Sequence, residues 1–460
     1  MTEVSGKAFM VIGAGKSGVS AARLLLKKGA ARVVLSDVKP CSKFPEEAFN
    51  LKKEGLILEC DGNLADTALH SDAVIVSPGV PLAGNWYETV RRNNKALIGE
   101  VEFAYGFIKN TGAKIAAVTG TNGKTTTATL LYEIMKAKFG DKAALGGNVG
   151  IPVCDLVVEG ASYERIVLEI SSFQLETIKD FRPDAAVILN ITDDHLDRYA
   201  NMQEYAQAKA NIFRNQPESG LLALNSDDRF TGIMSTMSRS AKKLFSANGP
   251  VAEGWYYDAG AFYRAENGSV TKLFDTEGMK LSGRHNYENI LACLIIAEEL
   301  GVSPAEAEPV IKNFKGLPHR IEFSGEVKGR KFYDDSKGTN IDAVIKAVNS
   351  IEADTALILG GREKGTDFTQ LLPVLPPQVK CIIAFGENKD RVEEVFASKV
   401  PVIKASDMDD IVKKSLEIEG IKAVLLSPGC ASFDMFRDYK HRGNEFKKSV
   451  KKAAENEQGN

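Results

Sequence analysis

Short, unbroken apolar runs rich in β-branched residues recur along this chain, at residues 8–12, 33–35, 73–76, 115–118, 166–168, 185–189, 356–359, 381–385 and 423–426. Helix-like stretches separate many of them, for example 20–28, 204–213, 287–300 and 340–351. A strand that is apolar on both faces must be covered on both faces, so this alternation predicts an α/β fold with mostly parallel sheets. In such sheets ligands gather beyond the carboxyl ends of the strands. Polar motifs follow Ile12, Val76, Val118, Leu168, Leu189, Leu359 and Leu426, at those ends. A chain of 460 residues exceeds one ordinary core. We expect three domains, at 1–102, 103–315 and 316–460. The central one carries an antiparallel insertion near 249–281, where Tyr, Trp, Phe and Gly interrupt the rhythm, and residues 316–320 (GLPHR) form a turn-prone junction.

Charge narrows the partners. Lys plus Arg number 58 against 61 Asp plus Glu, a formal charge of −3, so no general affinity for nucleic acid is implied. The first residues lack the basic flank and apolar core of a signal peptide, and no apolar run is long enough to span a bilayer. The basic stretch 440–452 carries Phe446 and Val450 at helical spacing and reads as the solvated face of a last helix. Six cysteines (Cys41, Cys60, Cys154, Cys293, Cys381, Cys430) lack metal-like spacing, which suits reduced thiols in a cytoplasmic protein.

Residues 118–126, VTGTNGKTT, lie between an apolar run and a helix-like segment. Strand, glycine turn and helix converge backbone N–H groups on a phosphate. Gly120, Thr121, Asn122, Gly123 and Thr126 form the cradle, Lys124 reaches the terminal phosphates of ATP, and Thr125 offers its hydroxyl to Mg2+. Val118 stands where the general phosphate-loop pattern has glycine, so this is a variant form. A second glycine turn, 13–18 (GAGKSG), follows the first strand, with Asp37 after the next. It fits a dinucleotide, a UDP-linked substrate or a simple packing turn; Gly15, Ser17 and Gly18 would approach the diphosphate and Asp37 its polar groups. Ser77 and Gly79, in the stiff turn 77–80, would close the same crevice.

Acidic residues cluster near the phosphate loop. Glu169 ends a strand and suits magnesium, which prefers oxygen ligands. His195 lies among Asp193, Asp194 and Asp197, a grouping that suits a metal or an acyl phosphate better than packing. Lys209, on a following helix, reads from its residues alone as solvated. Segments 360–367 and 427–433 gather cations and hydroxyls suited to a small acid with several carboxylates. Segment 334–340 is either a site loop or only an N-cap and first turn.

Taken together, residues 120–126, 147–148, 169–172, 190–195, 283–286 with Asn289, and 335–337 resemble the Mur ligases, ATP-dependent amide ligases of peptidoglycan precursor synthesis. Residues 175–176, 316–320, 335–340, 432–433 and 442–446 resemble the branch that adds D-glutamate to UDP-N-acetylmuramoyl-L-alanine. The Asp-Asn-Pro-Arg motif typical of the branch adding meso-diaminopimelate is missing. The resemblance implies an N-terminal Rossmann-like UDP-binding domain, a central ATPase-type domain and a C-terminal Rossmann-like domain. It implies ATP contacts at Asn286, Asn289, Arg320 and Asp335, and D-glutamate contacts at Thr339, Lys364, Ser432 and Phe433. Asn148 would lie near the reacting carboxylate. Lys124, His195 and Lys209 would be catalytic. One Mg2+ would sit on Thr125 and Glu169, and a second on His195 and a carbamylated Lys209. It also implies a cytoplasmic monomer acting on small molecules, away from membranes. Tyr439 stands at an aromatic position often held by Phe. The rival readings are another ligase of the superfamily, such as folylpolyglutamate synthetase, an NAD-dependent dehydrogenase resting on residues 13–18, or a nucleotide switch without chemistry.

Overall fold

Each apolar run becomes a strand of one of three sheets in the computed structural model, which describes residues 3–62, 64–194, 198–362 and 367–458. The first sheet contains β1 (Ala8–Ile12), β2 (Arg32–Asp37), β3 (Leu56–Cys60), β4 (Ala73–Val76) and β5 (Ala96–Gly99). All are parallel, in the order β3-β2-β1-β4-β5. Order reverses at β1, so the turns after β1 and β4 open side by side, the usual place for a ligand.

The second sheet comprises β6 (Lys114–Thr119), β7 (Ala143–Gly147), β8 (Arg165–Glu169), β9 (Ala185–Ile188), β10 (Leu221–Asn225), β11 (Ala241–Ser246), β12 (Gly254–Asp258), β13 (Ala261–Glu266) and β14 (Ser269–Asp275). Its order is β14-β13-β12-β11-β10-β9-β6-β8-β7. Only the β12–β13 and β13–β14 pairings are antiparallel, which is the expected insertion. It ends the sheet on β14, whose exposed Ser269, Thr271 and Lys272 are the polar side chains an open edge needs. β6 lies between β8 and β9, so the phosphate loop, Glu169 and Asn190 leave adjacent strands at the same end.

The third sheet holds β15 (Glu322–Val327), β16 (Arg330–Asp334), β17 (Thr355–Gly360), β18 (Val379–Phe385), β19 (Val402–Lys404) and β20 (Ala423–Leu426), in the order β15-β16-β20-β17-β18-β19. All pairings are parallel except β15 with β16.

The chain divides into two compact units, Met1–Met279 with Tyr287–Asn313, and Lys280–Asn286 with Phe314–Asn460. The first two sheets share a unit because one core runs through both: Phe9, Val11 and Leu35 belong to the same buried cluster as Ile115, Ala117 and Leu168. Helix Glu100–Ile108, which spans the expected boundary at residue 102, packs Phe103 and Ala104 into that cluster. The C-terminal unit has its own cores, on either face of its sheet. Helix Tyr439–Gln458 seals one of them with Phe446 and Val450 while its lysines face outward, as its spacing predicts. Among the described residues no helix is long and apolar enough to cross a membrane.

One expectation is corrected. Cys41 and Cys60 form a disulfide, their Cα atoms 5.1 Å apart, so these two are not the reduced thiols that the spacing suggests. β3 runs beside β2 with Cys60 opposite Asp37, which carries Cys60 to the loop that follows β2. Only this long-range pairing makes the two neighbours. Cys154, Cys293, Cys381 and Cys430 are buried and lie outside any disulfide among the described residues.

Candidate active site

The phosphate loop joins β6 to helix Lys124–Phe139. Gly123, at the helix N-cap, has φ 85°, and a Cβ there would collide with Asn289, so glycine is required on both counts. Its neighbours brace the loop from the segment after β9 and from two helices, Met202–Ala210 and Arg284–Glu299. Asn190 after β9 accepts from the Asn122 N–H at 2.8 Å and donates back to the Asn122 carbonyl at 3.2 Å. Thr121 donates to the Thr192 carbonyl and to the Tyr205 hydroxyl. Asn289 accepts from the Thr127 hydroxyl at 3.1 Å, which seats the helix start. Thr125 and Thr126 occupy the first turn of the same helix.

Two lysines meet at this loop. Lys124 Nζ donates to the carbonyls of Gly120, at 3.0 Å, and Thr121, at 2.8 Å, folding back over the cradle that a phosphate would fill. Lys209 Nζ donates to the same Gly120 carbonyl at 2.8 Å and lies over the Tyr205 ring. The surface lysine read from its residues alone is therefore 1% exposed. Burial, and next the charge of Lys124, hold its pKa well below the usual lysine range. That favours a neutral amine, which is a nucleophile.

Glu169, at the end of β8, is 1% exposed. Its Oε1 accepts from Asn148 Nδ2 at 2.7 Å, while Oε2 is buried without a hydrogen-bond partner among the described residues. An orphaned carboxylate oxygen is costly unless a cation or donor arrives. It therefore fits the magnesium role, alongside the Thr125 hydroxyl expected at a phosphate-loop metal. The same bond places Asn148 beside Glu169. His195 and Asp197 lie outside the described residues.

In the first sheet, Gly13–Gly18 and Ser77 meet as the topology requires. Ser77 Oγ donates to the Gly13 carbonyl at 2.9 Å, and a Cβ on Gly18 would strike that same carbonyl. Asp37 lines the crevice, yet its carboxylate also accepts from the N–H groups of Ala14, at 2.9 Å, and Lys39, at 3.1 Å. It thus holds both loops. A cavity of about 290 Å³ is lined by Gly15, Lys16, Asp37, Lys39, Lys43 and Phe44. Lys39, Lys43 and Phe44 escaped the sequence reading; the basic residues just after Asp37 were the available signal. Three cations and an aromatic ring suit a diphosphate joined to a base.

The remaining expected residues belong to the C-terminal unit. Asp335 is buried, accepts from Ser427 Oγ at 2.6 Å and is pushed up to about 7, mainly by burial, with Arg320 opposing. Asn286 donates to the Ser282 carbonyl at 2.7 Å. The loops after β16 and β20 are stitched together: the Gly429 N–H donates to the Gly338 carbonyl at 2.9 Å. Fully buried Arg442 donates to Ser336 and to the carbonyls of Cys430 and Ala431. This brings Thr339 and the Ser432–Phe433 pair onto adjoining loops, with Ser432 buried and Phe433 exposed. Arg442 as an organiser escaped the sequence reading, because only burial reveals it. Lys337 lies over the Tyr439 ring, 4.1 Å from its centre. Asn340 is an N-cap, accepting from the Ala343 N–H. Lys364 lies outside the described residues.

Comparison with known proteins decides the family. Residues 7–99 match the Mur ligase MurD-like N-terminal domain, 118–297 the Mur ligase middle domain, and 319–430 the Mur ligase glutamate ligase domain. The chain belongs to the Mur ligase family. A Geotalea daltonii protein named UDP-N-acetylmuramoylalanine–D-glutamate ligase is 40% identical over 453 residues, covering 98% of this chain and 99% of that protein. A protein of the same name from Thermoanaerobacter sp. (strain X514) is 39% identical over 456 residues, covering 97% and 99%. Solved Mur ligases share the three-domain fold. MurF from Thermotoga maritima, in complex with ADP, aligns with a TM-score of 0.61 at 18% identity over 99% of this chain and 100% of that one. UDP-N-acetylmuramate-alanine ligase MurC from the same organism gives 0.58 at 18% identity over 98% and 99%. With residues 7–99 matching a ligase domain, the dehydrogenase reading of the first glycine loop loses its support.

Proposed function

We propose that this Mur ligase joins D-glutamate to UDP-N-acetylmuramoyl-L-alanine at the expense of ATP, as a cytoplasmic monomer. The observation that carries the reading is buried Glu169, with one oxygen unpaired among the described residues, beside a phosphate loop on which two lysines converge. The names of its relatives at about 40% identity support the choice of amino acid.

A carboxylate is a poor electrophile, so one of its oxygens must first become a leaving group. The terminal carboxylate of the L-alanine attacks the γ-phosphorus of ATP; an O–P bond forms, the bond to the β-phosphate oxygen breaks, and ADP leaves. The D-glutamate amine then attacks the acyl carbon, and phosphate departs with the C–O bond pair while the new amide nitrogen loses a proton. Lys124 offsets the charge crowded between carboxylate and triphosphate. Asn148 steers Glu169 through their shared hydrogen bond. The family resemblance assigns Asp335 and Arg320 to the nucleotide, and Thr339, Ser432, Phe433 and Lys364 to D-glutamate. Thr125 and Glu169 would hold magnesium, which would neutralise further charge on the triphosphate. The family resemblance adds a second magnesium on His195 and a carbamylated Lys209. Burial favours the neutral amine that this modification needs: Nζ attacks carbon dioxide, an N–C bond forms and a proton leaves to solvent.

The test is ADP release with ATP, magnesium and UDP-N-acetylmuramoyl-L-alanine, comparing D-glutamate with L-glutamate, L-lysine and meso-diaminopimelate. Release that depends on D-glutamate alone is expected. Release with another amino acid would overturn the assignment of the pocket, and none with any would overturn the reaction.

A further inference from the structure

The diphosphate cradle lies on the first sheet and the phosphate loop on the second, yet one substrate must reach from one to the other. Arg198 joins the two. Its Nε and Nη2 donate to the Glu176 carboxylate at 3.1 and 2.6 Å, a two-point fork that a lysine cannot reproduce. Its Nη1 turns the other way and donates to the Pro78 carbonyl at 3.3 Å. Pro78 follows Ser77, the residue that holds Gly13. The guanidinium also lies 4.2 Å from the Phe173 ring centre, and both charged side chains are mostly buried, at 19% and 17% exposure.

From Glu176 the contacts continue toward ATP. Tyr199 donates to Glu176 Oε1 at 2.6 Å, and its ring packs 5.2 Å from that of Tyr205. The Tyr205 hydroxyl accepts from Thr121 in the phosphate loop. Glu176 thus gathers Arg198 and Tyr199, and the contacts run from the Pro78 turn to the phosphate loop.

We propose that Arg198 is a positioning residue, which locks the Ser77–Gly79 turn to the catalytic domain and so sets where the carboxylate end of the UDP-linked substrate meets the γ-phosphate. The inference rests on the proposed ligase reaction. Displacement of a reacting group by about 1 Å costs on the order of 100-fold in rate. Loss of the fork therefore acts on reaction with the UDP-linked acceptor, and leaves ATP binding alone.

The experiment compares wild type, Arg198→Ala and Arg198→Lys on two acceptors: UDP-N-acetylmuramoyl-L-alanine, and N-acetylmuramoyl-L-alanine without the nucleotide. Wild type must turn over the UDP-linked acceptor with D-glutamate; if it does not, the ligase reading itself fails. The expected result is a roughly 10- to 100-fold fall in kcat/KM for the UDP-linked acceptor in both variants. The KM for ATP and the weak turnover of the truncated acceptor, which does not use the cradle, stay within about twofold of wild type. Arg198→Lys keeps the charge and the stem over Phe173, so it guards against a variant that merely fails to fold. Equal losses on both acceptors, wild-type behaviour of Arg198→Lys, or no change for the UDP-linked acceptor would each overturn the proposal.

Discussion

Two glycine turns in this chain begin alike and end differently. Both follow a central parallel strand, both open a helix, and both sit where neighbouring loops leave the same end of a sheet. Around Gly13–Gly18 the acidic neighbour, Asp37, is occupied by two backbone N–H groups, and Lys16, Lys39 and Lys43 line the cavity as exposed cations. Around Gly120–Thr126 a buried carboxylate oxygen has no partner among the described residues, and burial holds the pKa of a lysine well below its usual range. The first arrangement is already satisfied and suits holding an anion. The second is unsatisfied until ligands arrive, which is what a site for chemistry looks like. A glycine turn therefore says that phosphate is welcome; the groups that other strands deliver say what happens to it.

The contrast breaks most sharply at Lys124. Lys124→Ala should lower turnover by about 100- to 1,000-fold, measured as ADP release, while circular dichroism stays unchanged. Near-wild-type turnover would mean that the central turn only binds. Glu169→Gln should cost about 100-fold and move the magnesium titration midpoint to higher concentration; a rate loss with an unmoved midpoint would give Glu169 another task. At the first turn the effect should fall on binding alone. Lys39→Ala with Lys43→Ala should raise KM for the UDP-linked acceptor by about tenfold with kcat held, since exposed charge-assisted hydrogen bonds give about 1.5 kcal/mol. A fall in kcat instead would erase the distinction between the turns.

The smallest effect concerns the seam between the two sheets. Glu100 is buried beneath helix Val153–Glu159, with Oε1 accepting from the Cys154 N–H and Oε2 unpaired among the described residues. Burial first, and nearby Asp155, raise its pKa from 4.5 to about 7. Below the lower value both folded and unfolded chains hold the proton. Between the two only the folded chain does, so this contribution is full at acid pH and is lost as pH climbs to about 7. Glu100→Gln cannot ionise. Melting temperatures followed from pH 5 to 8 should fall more steeply for wild type than for the variant; parallel curves would show Glu100 ionised throughout.

Sequence alone determined nine of the strands, the two glycine turns and the family, because these depend on local pattern: apolar runs of strand length, glycine where a Cβ would collide, and motif residues a few positions apart. All nine apolar runs are strands, and the antiparallel insertion falls within 249–281. Short or half-exposed strands such as β3, β15 and β19 were not legible, since their burial is incomplete and comes from neighbours. Tertiary structure decided the rest. It made Lys209 a buried amine on the phosphate loop, paired Cys41 with Cys60, left one oxygen of Glu169 unsatisfied among the described residues and turned Arg198 toward both Glu176 and Pro78. Each of these is a property of residues brought together from distant parts of the chain. Burial and charge environment belong to that assembly, and no window of sequence contains them.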